Sequence, residues 1–173
     1  NLLESTYNQV LDNPFGYLPK DEESVKKVKK FIQLYGNKYQ NNQVKFYHAT
    51  NADYDIENQG LLPTSKNRRN SYQSGSGYVY LANTPEQAKE FADFAFPRNN
   101  IAIYEVNVYF NQMLPDKDQI RNQRLYAGKE ELKDTLANSI VFGGGIRVKG
   151  KIPSYQIHLL KVIKRKSIGK LTD

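Results

Sequence analysis

At Val44 the sequence exchanges one hydrophobic period for another, and this switch constrains the fold more than any other feature. Before it, in "DEESVKKVKKFIQLYG", Val25, Val28, Phe31, Ile32 and Tyr35 recur at helical spacing. Acidic residues crowd the first turn there, and Gly36 stands where a helix-ending glycine belongs. After the switch, "VKFYHA", "GYVYLA", "IAIYEVNVYF", "NSIVF", "GIRVKG" and "YQIHLLKVI" are short runs of Val, Ile, Tyr and Phe, several alternating with period two. Each reads as a strand. Between the second and third lies "NTPEQAKEFADFAF", with Asn83 or Thr84 as cap, Pro85 just inside, and Ala88, Phe91, Ala92 and Ala95 on one face. That segment reads as a helix, as does "GKEELKDTLANS" before the glycines at 143 to 145. The class expected is α+β: a helical segment over 1–43, a sheet domain over 44–163, and a basic tail over 164–173.

A chain of 173 residues is large enough for one core and too small for two. Zero cysteines exclude disulfides, thiolate metal sites and a thiol nucleophile. With two histidines and no carboxylate pattern beside them, no metal is expected. No apolar run reaches the roughly 20 residues of a membrane helix, so a soluble domain without a membrane partner is expected. Beginning at Asn1, the sequence is expected to be a piece of a longer chain, and its Asn- and Tyr-rich composition suits a bacterial or phage source. The net charge of +7 is concentrated at one end. From Arg147 onward eight Lys and Arg face Asp173 alone, leaving 17 charges of each sign upstream. Arg147, Lys164, Arg165 and Lys166 are thus candidates to hold an acidic partner or nucleic acid.

Three pieces follow one another in order: "FYHATNADYDIENQGLLP", "GSGYVYLANTPEQAKEFA" and "GGGIRVKGKIPSYQIHLLKV". Together, over residues 44–163, they resemble the ADP-ribosyltransferase superfamily, in particular its diphtheria-toxin-like branch with the His, Tyr, Glu signature, and share features with the cholera and pertussis toxins. The resemblance implies a split sheet core, mixed or antiparallel. It also implies an enzyme that cleaves NAD+ and transfers ADP-ribose to a protein or nucleic-acid acceptor, as a secreted toxin or effector does. On this resemblance His48 orients the ribose, the backbone of Ala49 meets the carboxamide, Tyr80 and Phe91 flank the ring, and Thr50 and Tyr78 are further NAD+-binding candidates. Aromatic faces suit a flat cationic ring. The polar stretch "TSKNRRNSYQSGSG" reads as a loop whose Asn67, Arg68 and Arg69 would meet the pyrophosphate. His158 reads as structural.

One position departs from the family pattern. Aligned on the Ile152-Pro153 turn, the family's glutamate position falls on Gly145. Gln156, Tyr155 or Glu131 are candidate substitutes; a glutamate introduced at 145 is expected to return the anion if only the carboxylate is absent, and to be neutral or harmful through crowding if another group already supplies the charge. Two further functions stay open: an RNA 2′-phosphotransferase-like or nucleic-acid-modifying enzyme on the same fold, and an interaction module that has lost the chemistry.

Overall fold

The structure is a computed structural model that describes residues 43–63 and 77–165, together with Glu22, Glu23, Lys26, Lys27 and Lys30. These last five are helical, and Glu22–Lys26 and Glu23–Lys27 pair one turn apart. The apolar stripe expected at Val25, Val28 and Phe31 lies outside the described residues, as do Asn67, Arg68, Arg69 and Lys166.

Among the described residues six antiparallel strands form one sheet: β1 (Gln43–Asn51), β2 (Tyr78–Ala82), β3 (Ile101–Tyr109), β4 (Leu114–Pro115), β5 (Gly145–Lys149) and β6 (Ile157–Ile163), in the order β4-β5-β2-β1-β3-β6. The helices are α1 (Ile56–Gln59), α2 (Pro85–Ala95), α3 (Lys117–Tyr126) and α4 (Leu136–Asn138). The molecule is therefore α+β.

Residue alternation explains the layers. Along β3, Ala102, Tyr104, Val106 and Val108 enter the main core with Val44 and Phe46 of β1, Val79 and Leu81 of β2, and Ile146 and Val148 of β5. Leu136, Ala137 and Ile140 cover that face. The intervening Ile101 and Ile103 point the other way and meet Ala92 of α2. Helix α2 starts as its sequence dictates: the Thr84 side chain accepts from the Gln87 N–H, and Pro85 occupies the first turn. Its buried face is Ala88 and Ala92, whereas Phe91 stays 54% exposed.

Two expected elements are corrected. "NSIVF" is no strand: Asn138 ends α4, and Ser139–Gly143 continue it as a π-turn. In "GKEELKDTLANS" the regular α-helix is confined to Leu136–Asn138. The longer helix in this region, α3, lies upstream, capped by Asp116.

The sheet is not joined evenly. β1 and β3 pair from Gln43↔Tyr109 to Asn51↔Ile101, and β2 and β5 from Tyr78↔Lys149 to Ala82↔Gly145. β1 and β2, by contrast, pair only at Tyr47↔Ala82. The sheet thus opens between its two halves.

Candidate functional site

That opening is a cleft of about 340 Å³, within the range of small-molecule sites. β1 contributes Tyr47 through Thr50, β2 contributes Tyr78 through Ala82, and α2 contributes Ala88 and Phe91. Gly143, Gly144 and Gly145 close one end, beside Asp116 and Gln119. Tyr54 enters from the segment after β1, its ring edge-on to Phe96 with centroids 5.8 Å apart.

His48 bridges the two halves of the sheet. Its Nδ1 lies 2.8 Å from the Tyr80 carbonyl oxygen. A carbonyl can only accept, so Nδ1 carries the hydrogen and the ring orientation is fixed against β2.

Behind the tyrosines stands Arg147, paired across the strands with Tyr80. Its guanidinium carbon is 4.2 Å from the centre of the Tyr78 ring, and it donates a hydrogen bond to the Tyr80 hydroxyl. Burial pushes the Tyr80 hydroxyl pKa up, and the Arg147 bond works against that rise. Arg147 is only 9% exposed, and its Nε has no partner among the described residues. It is thus buried behind the two tyrosines and is not itself part of the cleft lining.

Arg165 is likewise engaged. Its Nε donates to the Asn99 carbonyl at 3.1 Å, and its guanidinium pairs with Asp93, which Lys89 also holds at 2.6 Å. These cations, Lys89 first, keep the Asp93 carboxyl below the usual range. Arg165 thus fastens the end of β6 to α2 and to the loop after it.

The glycine run has two separate explanations. Gly144 ends the π-turn at φ 82°, in the left-handed region. Gly145 is extended, but a Cβ there would lie 2.0 Å from the Leu81 carbonyl oxygen. The sheet leaves no room for a side chain at 145, so the expectation that a glutamate there returns an anion is withdrawn. The candidate substitutes do not line the cleft either. Gln156 is buried with its amide donating to the Asn107 carbonyl and to Gln112, Tyr155 is 80% exposed, and Glu131 is exposed. His158 is exposed on β6, not packed inside.

Asp116 is the carboxylate that no sequence motif pointed to. It is 5% exposed and lines the cleft. Its side chain caps α3 by accepting from the Gln119 N–H at 3.2 Å. Its own N–H donates to Ser139 Oγ at 2.7 Å, and that hydroxyl donates to the Gly145 carbonyl at 2.6 Å. Ser139 thereby ties the carboxylate-bearing residue to the backbone of the position that the family resemblance assigns to glutamate. Burial pushes the Asp116 carboxyl up to about 6, with Asp118 adding to the rise and the Gln119 and Asp118 N–H groups and Arg147 opposing it. The Asp116-x-x-Gln119 spacing before a helix was the available signal, since it is a helix-start pattern.

His48, Ala49, Thr50, Tyr78, Tyr80, Phe91 and Gly145 all border this one cleft. The chain matches no protein-family model and no curated protein.

Proposed function

We propose that this chain is an NAD+-dependent mono-ADP-ribosyltransferase domain of toxin or effector type, with NAD+ as substrate and the cleft between β1 and β2 as the site of nicotinamide-ribose cleavage. The observation that carries the reading is the make-up of the cleft walls. Tyr47, Tyr54, Tyr78, Tyr80 and Phe91 surround a space whose lining, among the described residues, includes one carboxylate, Asp116, and no lysine or arginine. Aromatic faces with a single anion suit a planar cation, and the nicotinamide ring of NAD+ is one. His48, fixed by its bond to β2, acts by orienting the ribose. The buried carboxyl favours an enzyme over a bare interaction module, because burying an ionisable group is costly and an interaction surface elsewhere has no need of it.

Calorimetric titration of NAD+ against the protein and its His48→Ala and Tyr80→Ala variants tests the site. Removing one stacking or orienting group is expected to weaken binding by about 5- to 30-fold, the equivalent of about 1–2 kcal/mol. Equal binding by all three proteins, or binding by none, would sink the reading. A nucleic-acid acceptor, or an RNA 2′-phosphotransferase-like reaction on the same scaffold, draws its support from Lys149, Lys151, Lys161 and Lys164, which are exposed or partly so.

A further inference from the structure

We infer that Asp116 is the catalytic carboxylate of this cleft and takes the proton from the group that attacks the ribose. The acceptor is then a neutral, proton-bearing group such as a hydroxyl, not one that arrives already ionised. The inference rests on the reading of the cleft as an NAD+ site.

Three features of the structure single Asp116 out. It supplies the one carboxylate among the described residues that line the cleft. Its position is overdetermined, through the Gln119 N–H on its side chain and the Ser139 hydroxyl on its backbone, and a group held this way can meet a substrate without rearranging. Its charge is also unexplained by the fold, since asparagine or serine caps a helix as well as aspartate does. The groups that face it are Asp118 on α3, Arg147 on β5 and Tyr80 on β2, with His48 of β1 in the same cleft. Of these, Arg147 favours the ionised carboxylate and Asp118 opposes it. A carboxyl poised near 6 is ionised enough at neutral pH to accept a proton and basic enough to hold it.

In the reaction, the bond between ribose C1′ and the nicotinamide nitrogen breaks, and its electron pair leaves with the now neutral nicotinamide. The acceptor oxygen bonds to C1′, and its proton passes to the Asp116 carboxylate and then to solvent. With water as acceptor, the products are ADP-ribose, nicotinamide and one proton.

The test is nicotinamide release from NAD+ by the full chain, with water as acceptor, between about pH 4.5 and 8.5, a range that brackets the carboxyl. NAD+ binding is titrated in parallel. The wild-type rate is expected to rise with pH through about 6 and then level off. Asp116→Asn is expected still to bind NAD+ while kcat falls roughly 10²- to 10⁴-fold and the acid limb disappears. Asp116→Glu, which keeps a carboxyl, should retain a limb. If Asp116→Asn fails to fold, Asp116→Ser takes its place. A variant that binds NAD+ and keeps both rate and limb overturns the role of Asp116 and leaves the NAD+ reading standing. A wild-type protein that does not bind NAD+ overturns both.

Discussion

Burying the Asp116 carboxyl at the start of α3 sets stability against charge. An ordinary aspartate titrates near 3.9, and Asp116 is pushed up to about 6. Between these values the folded protein keeps a proton that the unfolded chain has released, so stability falls as pH rises through this window. Above it the deficit levels off at about 3 kcal/mol, from a shift of about two units. Asp116→Asn keeps the cap and has no proton to lose. It is expected to melt higher than the wild type at about pH 7.5 and nearly level with it at about pH 4, and thermal denaturation at the two values checks this. An advantage independent of pH would show that the carboxyl is not held neutral by its surroundings. At Gly145 the constraint is steric. Gly145→Ala places a methyl against the Leu81 carbonyl and is expected to cost about 3 kcal/mol or more, seen as a lower urea midpoint.

At the scale of elements, the segment between β4 and β5 does the least predictable work. Helix α3 has the sequence "KDQIRNQRLY" and buries Ile120 alone, so it carries no apolar stripe to announce it. The run "SIVF" has the composition of a strand, yet it packs Ile140 and Phe142 from a π-turn; short apolar runs do not distinguish the two by period. Helix α2 was legible because its cap, its proline and its small residues agree. Ser139 fastens the difficult segment to the sheet. Ser139→Ala strips partners from the Asp116 N–H and the Gly145 carbonyl, both buried, and is expected to cost about 2–3 kcal/mol. Denaturant unfolding should show the lower midpoint with an unchanged slope. If the cleft is the NAD+ site proposed above, turnover should fall with it, because the same hydroxyl holds Asp116 in place.

Across the whole molecule, charge and sheet order divide the cations into two sets. Arg165 is built into the junction of β6 with α2, while Lys161 and Lys164 are exposed. Arg165→Gln is expected to lower the melting temperature by about 3–6 °C, through the removal of about 1–2 kcal/mol of charge-assisted bonding. It should leave the salt dependence of binding to single-stranded RNA unchanged. Lys161→Gln with Lys164→Gln should do the reverse if RNA is held there, lowering the salt slope by about 0.7 for each phosphate that the protein no longer neutralises. RNA binding that is negligible at low salt would remove nucleic acid as the acceptor. No helix among the described residues is long and apolar enough to cross a membrane. The sequence by itself determined the α+β class, five of the six strands and helix α2, because each of these rests on a local period or a cap. His48, Tyr78, Tyr80 and Phe91 were singled out by the family resemblance and not by a local pattern; they share the cleft because β1, β2 and α2 are neighbours in space. Only the tertiary structure decided that Arg147 lies behind two tyrosines, that Gly145 has no room for a side chain, and that the cleft's carboxylate comes from Asp116. These three facts depend on strand register and on which loop returns beside which strand. Such pairings join residues tens of positions apart, as Leu81 meets Gly145, and no local pattern encodes them.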